Sequence, residues 1–229
     1  MVRTTFSMMI LTLAIVCGGT TGGDDGVDAG ELPTGRLFPI AVDARWTYQI
    51  TDVATGLVAT KSQTVLARED VGDLKAGIMA FRLRTDKPSG GYTVSWQEDT
   101  GTAIVRHREQ AFDATSTMMI EDYYLPAKLR VDETPEHTAD DASWTESYQE
   151  RVTDMATNLT TTGDKDDVWT VVARVDSVTV PAGTFVAIHV NRSNQVTGSI
   201  KDYWFAPGVG KVKESGNSQI ELLVDYSIP

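Results

Sequence analysis

From Arg45 onward the chain alternates between apolar and polar positions with a period of two. Trp46, Tyr48 and Ile50 interleave with Arg45, Thr47 and Gln49, and Tyr92, Val94 and Trp96 interleave with Thr93 and Ser95. Near the C-terminus Ile220, Leu222, Val224, Tyr226 and Ile228 form another such series. This alternation predicts strands with one buried and one wetter face. Further strands are expected over Leu57–Arg68, Ile78–Thr85, Thr102–Arg108, Thr115–Tyr124, Ser143–Met155, Val168–Val180, Thr184–Arg192, Ile200–Phe205 and Val209–Glu214. Turn signals separate them at Pro88–Gly91, Asp99–Gly101, Thr162–Asp164 and Ser215–Asn217. No stretch carries a sustained apolar period of 3.6. The expected fold class is therefore all-β: an antiparallel meander forming a strongly curved sheet or open barrel. Leu125 to Asp141, with Pro126, Pro135 and a cluster of acids, is expected to be a long loop.

Two corners punctuate the last third. In Val180-Pro181-Ala182-Gly183, Pro181 presets φ for a type I turn, and Gly183 is expected to take a left-handed conformation in a three-residue hairpin. In Ala206-Pro207-Gly208-Val209, proline followed by glycine marks a type II turn, which Gly210 extends. The string GVGK is not a phosphate loop, because Phe205 and Val212 stand where that motif needs Gly and Ser or Thr.

The order VTVPAGTF, strand, YWFAPGVGKVK resembles a family of uncharacterised bacterial envelope proteins that includes many lipoproteins (TapB-like). The resemblance is loose from Trp46 to the C-terminus and sharp only in about the last 60 residues. It implies an antiparallel β domain outside the cytoplasm and carries over no catalytic residue.

The N-terminus adds a location. Arg3 precedes an apolar run from Phe6 to Val16, which is too short to span a bilayer as a resident helix and reads as the core of a signal peptide. Cys17, the single cysteine, follows directly. Its position predicts cleavage before it and attachment of palmitate-type lipid to it. Val16 departs from the small residue usual at that place. One cysteine also excludes an internal disulfide and a cysteine-based zinc site. Residues 18–36 are rich in Gly and Asp and poor in apolar side chains, so they are expected to be a disordered tether. The expected organisation is thus a signal segment 1–17, a tether 18–36 and a single β domain 37–229, anchored at the outer membrane.

Charge narrows the partners. The 229-residue chain has a net charge of -12, which argues against nucleic acid and against electrostatic docking on anionic lipid. Serine-nucleophile motifs are absent, and the abundant carboxylates single out no catalytic pair. Asp164-Lys165-Asp166-Asp167 lacks the spacing of a calcium loop and reads as a polar turn. His107, His137 and His189 lie far apart, and Arg106 with Arg108 reads as one solvated strand face. No catalytic, metal or cofactor residue is therefore assigned. Trp46, Tyr48, Tyr92, Trp96 and Trp169 are the candidates to line the concave side, either as a filled core or around an apolar ligand. The expected role is a non-catalytic envelope lipoprotein that binds an apolar small molecule or another envelope protein. A lipid carrier with an apolar cavity is the alternative, and an enzyme with a scattered site the more distant one.

Overall fold

A computed structural model describes residues 31–229. Signal segment, Cys17 and most of the expected tether lie outside the described residues. Twelve antiparallel strands follow one another: β1 Arg45–Asp52, β2 Val58–Asp70, β3 Met79–Asp86, β4 Tyr92–Asp99, β5 Ala103–Phe112, β6 Met118–Asp132, β7 Ser143–Asp154, β8 Leu159–Val180, β9 Gly183–Asn194, β10 Ile200–Ala206, β11 Gly210–Gly216 and β12 Gln219–Ser227. Each pairs with the next, and β12 pairs with β1 from Arg45 opposite Ser227 to Asp52 opposite Gln219. The meander is thus a closed barrel, which leaves no long unpaired edge at the seam. Twelve strands enclose more width than side chains alone need to fill, so the interior can be core at one level and cavity at another.

The end of the barrel nearest the entering chain is filled. Trp46, Tyr48, Val65, Leu83, Ile104, Trp169, Val171, Val190, Phe205 and Leu223 are buried in one cluster. Leu37, Phe38 and Ile40 precede β1 and plug this end, with Phe38 stacked on Trp46 at 5.1 Å. Arg36 ties the plug to the end of β4 and to the loop after β6: its Nη atoms donate to Asp99 at 3.0 Å and its Nε to Glu133 at 2.7 Å. The Arg36 carbonyl accepts from Gly208 N. The ordered domain therefore begins before Leu37, and Arg36, placed in the tether by composition, is a clamp.

Both glycine corners form, with one change of detail. Gly208 has φ 75° in a turn closed by Val209 N donating to Ala206 O at 3.0 Å, as the Pro-Gly pair requires. The first corner is a two-residue loop, Pro181–Ala182, with Gly183 opening β9 at φ 139°, rather than a three-residue one. Two segments differ from expectation. Leu125–Asp132 continues β6 instead of forming a loop, because Pro126 falls where the β5 register jumps from Arg108–Tyr123 to Arg106–Lys128 and no ladder hydrogen bond is asked of it. The loop between β6 and β7 spans only residues 133–142. Thr162-Gly163-Asp164 lies within β8, and the turn falls at residues 155–158, where Asn158 adopts φ 55°.

Candidate functional site: a charged lumen

Above the filled base the barrel is hollow. A cavity of about 650 Å³ opens at the end opposite the plug, rimmed by Lys87, Pro88 and Ser89 of the β3–β4 turn and by Gln219 at the start of β12. Gln63, Arg130, Tyr203 and Lys211 form its floor, since they also border the small void of about 20 Å³ that reaches down to Phe38 and Phe205.

The walls are charged, and the charge is one-sided. Eight basic side chains line the cavity, against three acidic ones, Glu109, Glu214 and Glu221. The whole chain has 20 basic and 32 acidic residues, so the cations are concentrated inside a protein that is otherwise strongly acidic. Fixed charge of one sign in a low-dielectric recess focuses the field on whatever enters it.

On one side of the lumen three lysines each meet a carboxylate. Lys211 Nζ contacts Glu214 and lies 2.7 Å from Glu221, Lys61 meets Glu221 and Lys201 meets Glu214. Burial opposes the Lys211 charge, but Glu214 and Glu221 overcome it and hold its pKa above the ordinary lysine range. Burial likewise opposes the Glu214 charge, and Lys211 and Lys201 pull its pKa below the ordinary carboxylate range. This network joins β2, β10, β11 and β12 next to the seam between β12 and β1.

Across the lumen the cations are not balanced. Lys128 and Arg130 of β6 have no ion-pair partner among the described residues. Arg106 pairs with Glu109, and Arg192 reaches Asp167 only at 3.8 Å, while the Nε atoms of both arginines are buried without a protein partner. Aromatic faces take up part of the charge. Lys128 Nζ lies 5.1 Å and 5.3 Å from the ring centres of Tyr124 and Tyr148, and the Arg192 guanidinium lies 5.8 Å from Trp169 and Tyr203. Burial, then Arg192 and Arg106, push Lys128 down to about 8, and burial, then Arg106, lower Arg130 as well.

The residues singled out by sequence divide between the two sides of the wall. Trp46, Tyr48 and Trp169 point inward and belong to the filled core. Trp46 Nε1 donates to Val209 O at 2.6 Å and Tyr48 Oη to Lys211 O at 3.0 Å. Tyr92 and Trp96 face outward, which corrects their placement on the concave side. Thr93, lining the cavity, and the alternate Ser95 and Gln97 occupy the inner face of β4 instead. Outside, Trp96 packs on Val71 and Ala80, donates to Glu69 at 3.1 Å and lies under Arg108 at 4.9 Å. Tyr92 stacks on Phe112 and under Arg84. Arg106 and Arg108 do not share a face either. A bulge places His107 between them, turning Arg106 into the lumen and Arg108 out onto Trp96 and Tyr123.

Each histidine is held by a carboxylate: His107 by Glu98 at 2.8 Å, His137 by Asp132 at 2.8 Å and His189 by Asp202 at 3.0 Å. No group of three or more His, Cys, Asp or Glu side chains converges as a metal site among the described residues. The lumen cations escaped the sequence reading. The one local signal is Lys128-Leu129-Arg130, two cations alternating within a segment otherwise taken for loop.

Fold and lumen together define the class: an all-β antiparallel barrel, closed at one end and open through a charged cavity at the other. No family model matches the chain, and no curated protein matches it. Two solved structures resemble it over 85% of its length and 100% of theirs. One is a candidate exported protein with a YmcC-like fold from Bacteroides fragilis (14% identity, TM-score 0.46). The other is a candidate lipoprotein from Parabacteroides distasonis (12% identity, TM-score 0.44). Likeness at this level carries no argument about activity or ligand.

Proposed function

We propose that this is a non-catalytic binding protein of the bacterial envelope, anchored at the outer membrane through lipid on Cys17, that takes a polar small molecule into the barrel lumen. The open, charged cavity carries this reading. An apolar ligand would have to desolvate unpaired lysine and arginine heads without replacing their hydrogen bonds, a cost of several kcal/mol. The aromatic residues that suggested an apolar pocket are engaged in the core or on the outer face. The anchor rests on the charged start, apolar run and Cys17 of the N-terminus. Because the chain enters at the plugged end, a tether to the membrane leaves the mouth unobstructed.

Cysteine accessibility tests the lumen. In the full chain, Thr85→Cys should react with a small hydrophilic thiol reagent, and Val65→Cys, within the filled base, should resist it under native conditions. Peptide mass mapping separates either site from Cys17. A saturably bound fluorescent fatty acid that shields Thr85→Cys would restore the apolar carrier instead. Intact mass of the exported protein should show acylated Cys17, and an unmodified Cys17 would remove the anchor.

A further inference from the structure

We propose that Arg106, Lys128, Arg130 and Arg192 form a binding site for a compact phosphoryl dianion, as free phosphate or as a small phosphate monoester. The inference deepens the polar-lumen reading by naming the ligand's chemistry, and it rests on that reading. Arg106 and Lys128 are register partners on β5 and β6, Arg130 follows two residues on, and Arg192 faces them from β9. All four line the same cavity. Two of them lack a carboxylate altogether, so the cluster carries a surplus of about two positive charges that the fold leaves unneutralised. Like charges gathered in a recess destabilise the empty protein, and an entering dianion relieves that repulsion.

The donor geometry favours a phosphoryl group over a carboxylate. Guanidinium forks and one ammonium approach from three different strands, which suits oxygens that diverge tetrahedrally. The buried Nε–H groups of Arg106 and Arg192 have no protein acceptor and add two donors. Tyr203, which lines the same cavity beside Arg192, supplies flat surface beside the charge for the remainder of a monoester. Asp122, Glu146 and Glu150 also act on Lys128 from β6 and β7, and they limit the surplus rather than cancel it.

Thermal melting and calorimetry on the full chain at low ionic strength test the site, with inorganic phosphate, glycerol phosphate, succinate and glycerol as probes. Phosphate or glycerol phosphate should raise the melting temperature saturably, with succinate weaker and glycerol without effect. Tighter binding of the monoester identifies a phosphorylated solute, and equal binding identifies phosphate itself. Arg130→Gln should weaken binding at least about tenfold and raise the melting temperature of the unliganded protein, since it removes an uncompensated charge. Lys128→Met should do the same and serves as the second variant should Arg130→Gln fold poorly. No saturable response to either phosphate probe would overturn the proposal, as would binding by Arg130→Gln within about twofold of wild type or succinate binding as tightly as phosphate. Thr85→Cys reactivity is independent of these outcomes, so a reactive Thr85→Cys without phosphate binding defeats this inference while leaving the polar lumen in place.

Discussion

Gly210 shows how tightly single positions are specified at the closed end. Its φ is 106°, and a Cβ there would lie 3.1 Å from Trp46 Nε1 and 3.2 Å from the Phe38 ring. Two penalties coincide: left-handed backbone strain, and a clash with the indole that seals the base. Gly208 carries the first penalty alone, because nothing stands within 4 Å of its added Cβ. Gly208→Ala should therefore cost about 1–2 kcal/mol and Gly210→Ala distinctly more, about 2–4 kcal/mol, read from denaturant midpoints. Equal losses would show that the Trp46 contact is unimportant.

Between strands, the buried network beside the seam does comparable work. Glu221 on β12 accepts from Lys61 on β2 and Lys211 on β11, and it is 1% exposed. Its charge has no solvent to fall back on, and the same holds for Lys61 once Glu221 is neutral. Glu221→Gln should lower stability by about 3–5 kcal/mol, and amide exchange should rise first along β12 and β1. Uniform loss of protection around the whole barrel would instead mean that the seam opens no sooner than the rest. Faces were legible from alternation along β1 where it pairs with β2, but not on β4, where the Tyr92–Val94–Trp96 series packs on the outside although the ladder with β3 is unbroken. Nor were they legible at bulges: one extra residue at His107 sends Arg106 and Arg108 to opposite sides, and nothing local in Arg-His-Arg announces it.

For the molecule as a whole, the charged lumen imposes a pH signature. Burial, then Lys211, hold Lys61 down to about 8, and burial, then Arg192, do the same to Lys128. In the unfolded chain both return to about 10.4. Between these values the unfolded state binds more protons, so stability rises with pH from about 8 to 10. Above about 10 the trend reverses. Burial raises Tyr123 to about 12, and it contributes stability that is lost as pH climbs above the unfolded tyrosine value. Unfolding free energy should thus increase between pH 7.5 and 9.5 by on the order of 1 kcal/mol for each of the two lysines, allowing for water in the lumen. Lys128→Met should remove about half of that rise. A flat wild-type profile would place both ammonium groups in contact with bulk water.

At this scale the sequence alone determined the all-β antiparallel class, most of the strands and the Pro-Gly corner at Gly208. These follow from period-two alternation and from φ requirements, which are local properties of the chain. Only the tertiary structure decided that the sheet closes, that Arg36 and Phe38 plug one end, that Tyr92 and Trp96 lie outside, and that eight cations share one cavity. Closure and lumen composition depend on registers and bulges summed around twelve strands. A cation on a strand reads the same in sequence whether it faces solvent or another wall of the same barrel.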